Sequence, residues 1–485
     1  MISLILSILA LILGYYLYGS FLERIFGVNN DSETPANRLA DGVDFVVLPN
    51  WKVFLIQFLN IAGLGPIFGA IAGAMYGPAA FLWIVLGSIF AGAVHDYFSG
   101  MMSLRYDGES ISEVVGRFLG NSSKQIMRLF TVILLIFVGT VFLVGPAKII
   151  TGMTGDFLSN GTWIGIILLY YLLSTLLPID KMISKLYPIF GIAMLLMAVG
   201  LILALFIGDY TIPEITVDNL RNMSANPDKT PLFPMLFVTI ACGAISGFHA
   251  TQSPLMARCM KSEKSGKAIF SGTMITEGVV ALIWAAVSMS FFGSVDELNG
   301  AMAANGNNAA WASNEIAVNM LGPIGGILAV LGIVAAPITS GDTAFRSARL
   351  IIADSFKFNQ KSFLNRLYIS IPLFIIAIGL TQVDFAIIWR YFAWSNQTLA
   401  TIVLWTITVY LAHFHKNYWV SLLPAIFMTM VTVSYILLAP EGFSLDHTLS
   451  YIVALLVSIT FTVLFFLHIK KKKTVKPKLE SSIIE

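Results

Sequence analysis

Four ionisable side chains interrupt stretches that are otherwise apolar, and they set the chemistry to be explained. His95 and Asp96 sit together in AGAVHDYFSG, His249 in GFHATQSPLMARC and Glu277 in SGTMITEGVVALIW. Charge inside hydrocarbon is costly, so such groups mark ion or substrate paths by default. Histidine titrates near neutral pH, which suits a proton relay, although a structural, hydrogen-bonded histidine gives the same pattern. Glu277 reads either as a protonatable coupling group or as a satisfied buried carboxyl. Helical neighbours point about 100° apart, so His95 and Asp96 are expected to face different surroundings. A metal centre of His95, Asp96 and His249 lacks an i,i+4 histidine pair. The two cysteines, Cys242 and Cys259, have no zinc-ligand spacing. No cofactor or metal is therefore expected, apart from a coupling ion, Na⁺ or H⁺.

Two further segments carry polar groups where a membrane helix is ordinarily apolar. In AAPITSGDTAFRSARL, Ala336, Thr339, Ser340, Thr343 and Ser347 recur at helical spacing and form one small, hydroxyl-lined stripe. Hydroxyl oxygens suit a hard cation such as Na⁺ at Thr339 and Ser340, and equally suit hydrogen bonding between helices. Asp342 and Arg346 are four apart, the spacing of an internal ion pair. WRYFAWSNQTLATIV places Arg390 about 10 Å into a span at 1.5 Å per residue. Its guanidinium can fork onto a substrate carboxylate or pair with Asp384. Asn396 and Gln397 add amide groups about two turns further on.

The elements that must position these residues are membrane helices. Of 485 residues, 57% are hydrophobic and 12% charged, about half the charged share of a soluble domain. The net charge of +2 points to no nucleic-acid partner. Thirteen apolar segments are expected to be helical, near 2–22, 53–75, 79–104, 126–147, 161–178, 187–208, 231–256, 267–293, 322–345, 364–381, 384–411, 418–438 and 448–469. With the N-terminus outside and the C-terminus inside, 25 of the 29 Lys and Arg fall in cytoplasmic segments. The loops 294–321 and 439–447 carry neither residue. The N-terminal stretch has no basic residue ahead of it and reads as a retained span rather than a signal peptide.

The second and seventh segments are punctuated alike. FLNIAGLGPIFGAIAGAMYG holds Gly63, Gly65 and Pro66 at its centre; PMLFVTIACGAISGFHATQSPLM holds Gly243, Ser246 and Gly247. Gly and Pro weaken helix interiors. Corresponding breaks in two halves point to a transport site, although close helix packing through small residues gives a similar composition. The two segments lie five spans apart and run in opposite directions. They fit an all-α fold of inverted five-helix repeats, 53–208 and 231–411, that resembles the amino-acid/sodium symporter (LeuT-like) architecture. Accessory helices at 1–22 and 412–469, a cytoplasmic segment 23–52 and a Lys-rich tail 470–485 complete it.

Taken together, ADGVDFV (40–46), IAGLGPIFG (61–69), AGAVHDYFSG (91–100), CGAISGFHATQSPLMARC (242–259), APITSGDTAFRSARLIIAD (336–354) and RYFAWSNQTLA (390–400) resemble the carbon starvation protein A (CstA) family of peptide and pyruvate transporters. The resemblance spans the proposed ten-helix core. It implies cation-driven uptake of short peptides or pyruvate across the bacterial cytoplasmic membrane, and no enzymatic activity. In LeuT-like transporters the hydroxyls of the eighth core helix hold sodium against the first broken helix; Ala336, Thr339 and Ser340 match that role. Gly63, Gly65, Gly243, Ser246, Gly247, His249, Arg390, Asn396 and Gln397 are the expected substrate contacts. His95, Asp96, Glu277, Asp342, Asp41 and Asp44 are expected to relay protons or gate. A channel or exporter, a nutrient receptor and an intramembrane metalloenzyme are the competing classes.

Overall fold

Breaks rather than helices give this chain its character. In the computed structural model the described residues are 1–29, 32–42, 44–154, 157–176, 179–360 and 362–474. Lys361 and the tail from 475 to 485 lie outside them. Helix α1 (Ile2–Phe26) precedes α2 (Asn50–Ala62) and α3 (Gly65–Ala74), which meet at an angle of 51°. Gly63 makes that corner with φ +46° and ψ −132°, a conformation open to glycine but closed to side chains with a Cβ. Then come α4 (Ala79–Arg105), the short amphipathic α5 (Ile111–Leu119), α6 (Asn121–Thr154), α7 (Asn160–Leu176) and α8 (Ile179–Ile207).

The seventh apolar segment is interrupted more severely. A short piece, α9 (232–239), ends at Thr239; residues 240–246 are non-helical; α10 (Gly247–Ala257) resumes. Gly243 sits in the gap with φ +89°. Next, α11 (Glu263–Phe291) is followed by α12 (Val295–Ala304) and α13 (Ala309–Phe356), the latter broken at Gly322. The chain closes with α14 (Phe363–Leu380), α15 (Phe385–His413), α16 (Trp419–Leu438) and α17 (His447–Thr474).

Nine of these helices, among the described residues, are long and apolar enough to cross a membrane, and ten if the bent α2–α3 pair counts as one. This is fewer than the thirteen segments expected. The second segment is the bent α2–α3 pair, α9 and α10 are each too short alone, the apolar part of α7 covers only Asn160–Ser174, and α15 is not among the nine. Burial sorts the bundle into layers. In α4 and α11, 83% of the apolar window is inside the protein, against 17% in α17, so the former are central and the latter lines the lipid face. The 294–321 loop is built from α12 and the start of α13. Asn299 on α12 donates from Nδ2 to the carbonyls of Met75, Met223 and Val295 at 3.0–3.1 Å.

Candidate functional site

The two breaks touch. A Cβ added to Gly65 would overlap the Cys242 side chain, and one on Gly69 would lie 3.1 Å from the Thr239 carbonyl. Glycine at these positions is what lets the backbone of α3 lie against the backbone of the α9–α10 gap. The carbonyls that unwinding frees are met by side chains from central helices. Trp83 Nε1 donates to Ile240 O at 3.0 Å and Ser88 Oγ to Gly243 O at 2.8 Å, both from α4. From α15, Gln397 Nε2 donates to Phe237 O at 3.0 Å, while Asn396 Oδ1 accepts from the Phe248 N–H at 2.9 Å. Asn396 thus caps α10 from another helix, where Ser246, the residue at the cap position, gives no side-chain bond. Gly247 allows this, because α10 presses directly onto the backbone of Asn396 and Ala400.

Behind the second break lies a wholly buried ionisable cluster. Asp96 bridges two histidines: Oδ1 lies 2.7 Å from His95 Nδ1, and Oδ2 lies 2.8 Å from His249 Nδ1. His249 Nε2 stands 3.4 Å from Glu277 Oε2, close but not aligned as a hydrogen bond. Cys242 Sγ completes a group with His249 and Glu277 in which one donor atom of each lies within 4.8 Å of the others. Two sequence expectations are corrected here. His95 and Asp96 do serve one site, because the Asp96 carboxylate folds back to its neighbour with one oxygen and reaches α10 with the other. Cys242 does have a histidine partner, brought near by the chain reversal at 240–246 rather than by a helical interval.

The hydroxyl stripe faces the first break. Ser340 Oγ bonds Leu59 O at 2.9 Å and Ala336 O at 3.2 Å, and Thr339 Oγ1 donates to Ala336 O at 2.6 Å. Asp342 lies deeper in a structural clamp, accepting from Tyr187 OH at 2.9 Å and from the Ser174 hydroxyl, while Arg346 Nη2 donates to Ser174 O at 2.6 Å. Arg390 is not in the site. Its side chain is 45% exposed and its Nε lies 3.3 Å from Glu441 Oε2, in the loop between α16 and α17, so it is withdrawn from the substrate contacts. Glu441 is 51 residues away in sequence, which is why Asp384 looked the nearer partner.

Asp41 and Asp44 are at the surface. Asp41 Oδ1 accepts from the N–H groups of Asp44 and Phe45 at 2.9 Å, a local turn. The segment after it docks on the end of α10: Arg258 stacks on Phe45, and Leu48 N–H bonds Cys259 O at 3.1 Å. Gln57 and Asn60 on α2 were not foreseen. Both amides are buried without a hydrogen-bond partner among the described residues, as are Ser246 Oγ and Gln397 Oε1. Their signal was present as two amides three apart in an apolar run, at positions that share a helix face.

Comparison with known proteins agrees with this construction. The family profile described as Carbon starvation protein CstA matches residues 1–154, 149–323 and 317–435. An uncharacterized membrane protein of Haemophilus influenzae is 41% identical over 61% of this chain and 92% of its own length. The peptide transporter CstA of Bacillus subtilis is 26% identical over 89% of each chain. Among solved structures, MhsT bound to L-phenylalanine aligns with a TM-score of 0.56 at 15% identity, over 86% of this chain and 99% of that one. A manganese transporter of Eremococcus coleocola aligns at 0.52 and 13% identity, over 89% and 99%. At such identities the likeness is one of fold, a helical transporter bundle. With the profile matched over most of its length, the chain belongs to the CstA carbon starvation family.

Proposed function

We propose that this protein is a cation-coupled secondary transporter that imports small organic solutes, short peptides or pyruvate, by alternating access. The observation that carries the reading is the meeting of two helix breaks at one buried polar point inside the bundle. Lipid cannot satisfy irregular backbone, so breaks persist where protein or a solute covers them. Gly63, Gly65, Gly243, Ser246 and Gly247 shape that point. The spare groups of Asn396, Gln397, Gln57 and Asn60 face inward as solute partners. The N-terminal end of α10 favours a carboxylate, which both solute classes carry.

The coupling cation is assigned to the oxygens of Ala336, Thr339, Ser340 and the Leu59 carbonyl. Hard oxygen donors at the junction of a broken and an unbroken helix suit Na⁺. A bound ion would replace the Ser340–Leu59 hydrogen bond and tie α2 to α13, linking ion occupancy to the shape of the first break. The segment at Asp41–Leu48, docked on α10, serves as the inner gate. The thirteen-span topology, N-out and C-in with a ten-helix core at 53–411, and residence in the bacterial cytoplasmic membrane belong to the same proposal. The naming of relatives as peptide transporters supports the solute class.

Uptake of labelled pyruvate and short peptides into proteoliposomes under imposed Na⁺ or H⁺ gradients tests it. Accumulation against a gradient is expected. In the Thr339→Ala/Ser340→Ala variant the cation concentration for half-maximal uptake should rise about tenfold, near 1.4 kcal/mol. Unchanged cation dependence removes the ion assignment; folded protein that accumulates nothing under any gradient removes the transporter reading.

A further inference from the structure

We infer that Cys242, His249 and Glu277 form a binding site for a zinc-class divalent transition-metal ion, clasped across the second helix break. The inference stands on geometry independent of the transport reading. Three donors of three kinds, a thiol sulfur, an imidazole nitrogen and a carboxylate oxygen, converge within 4.8 Å in a region with no exposure to solvent. Around a tetrahedral ion with bonds of about 2.0–2.3 Å, donors stand about 3.4–3.6 Å apart. The His249 Nε2 to Glu277 Oε2 separation of 3.4 Å already matches, and the thiol has only to close by about 1 Å.

The hydrogen bonding around the cluster points the same way. Asp96 Oδ2 accepts at His249 Nδ1, so Nε2 is the ring nitrogen that faces Glu277. With a neutral imidazole two acceptors face each other there, and apart from this 3.4 Å approach neither Glu277 oxygen nor His249 Nε2 has a hydrogen-bond partner among the described residues. A carboxylate and an imidazole lone pair left this way in a dry interior are costly, and a cation between them satisfies both. The Asp96–His249 pair is also the outer-shell arrangement that fixes a metal-binding histidine in one tautomer. His95 supports it in turn, holding the other Asp96 oxygen at 2.7 Å.

The donor set selects the ion class. A thiolate with imidazole and one carboxylate favours zinc, cobalt or ferrous iron over magnesium or calcium, which prefer oxygen alone. Three protein donors leave one position open, the pattern of sites that exchange ligands rather than closed structural ones. The ion would join the unwound segment at Cys242 to α10 through His249 and to α11 through Glu277, fixing how far the break can open. On binding, the Cys242 thiol gives up its proton to solvent as the sulfur–metal bond forms.

The test uses the full-length protein in detergent, stripped with chelator and titrated with Co²⁺ as an optical probe. One Co²⁺ per chain is expected, with the near-ultraviolet absorption of a thiolate–cobalt bond. Cys242→Ser should abolish that band, and Glu277→Gln should keep the band while weakening Co²⁺ binding about tenfold or more. Cys259→Ser, at the other buried cysteine, should change neither. Gel filtration of each variant separates loss of the site from loss of the fold, and Glu277→Gln carries the test if Cys242→Ser does not fold. No saturable Co²⁺ binding, or a band that survives Cys242→Ser, overturns the inference. Neither result bears on solute uptake, so transport can stand while the metal site falls.

Discussion

Gly247 offers the sharpest check on how the second break is held. A Cβ at this position would stand 2.5 Å from Asn396 O and 2.6 Å from Ala400 N, and would overlap the Leu399 side chain. Two of these neighbours are backbone atoms of α15 and cannot swing aside. Ordinary contact begins at 3.4 Å, so Gly247→Ala must push α10 and α15 apart by roughly 0.8–0.9 Å. Overpacking of this kind costs about 1–3 kcal/mol. The shift also stretches the 2.9 Å bond from Phe248 N–H to Asn396 Oδ1, whose loss as a helix cap costs about 1 kcal/mol. Alanine's better helix propensity returns at most about 1 kcal/mol. A net 1–3 kcal/mol, falling on the arrangement that binds solute, lowers initial uptake about 5–140-fold at 1.4 kcal/mol per decade. Gly165→Ala is the control, since nothing lies within 4 Å of its added Cβ. Uptake by proteoliposomes and thermal unfolding of the detergent-solubilised protein give the two readings. If Gly247→Ala matches both wild type and Gly165→Ala, α10 is not braced on α15 and the account of the break fails.

Two further outcomes follow from charges outside that point. Arg390→Ala should destabilise the protein by about 1–3 kcal/mol, between the exposed-pair and buried-pair ranges, because Glu441 is only 5% exposed. The solute concentration for half-maximal uptake should stay within about twofold of wild type; a tenfold rise would return Arg390 to the substrate site. Glu113 on α5 is clamped by Lys124 and Arg128 of α6. Burial alone would raise its carboxyl pKa, but these two hydrogen-bonded cations outweigh it and hold the pKa below the ordinary 4.5. A depressed acid stabilises the fold above its ordinary pKa and loses that contribution as pH falls through the lowered one. The unfolding midpoint of wild type should therefore exceed that of Glu113→Gln at neutral pH, by a margin worth about 1 kcal/mol, and converge with it as pH drops below about 4.5. A gap that persists in acid would show that the clamp works through packing.

How far the sequence spoke for itself depended on whether the signal was local. Gly63 and Gly243 announced their breaks because positive φ is a demand that one residue type meets, and the structure places both there. The hydroxyls of Thr339 and Ser340 were legible from period alone, since a helix face is a local property; that Ser340 reaches Leu59, 281 residues away, was not. The cluster at His249 was misread in two respects for one reason. Helical geometry was applied to His95 and Asp96, whose carboxylate bends back on its own helix, and sequence spacing to Cys242, which lies in no helix. Arg390 was read against Asp384 because a partner in a distant loop leaves no mark on the span that needs it. Broken spans divide into pieces too short to cross a membrane alone, and the breaks are also where the polar groups converge.

Asn299 has a consequence that reaches beyond its own helix. Its one side-chain amide joins α12 to the end of α3 at Met75 and to the 209–231 connection at Met223. Three pieces of chain that belong to different parts of the sequence are thereby stitched into a single plate over the first broken helix. An outward swing of the upper half of the broken helix would have to break these bonds or carry α12 and the connection with it, with the Gly63 corner as the nearest pivot.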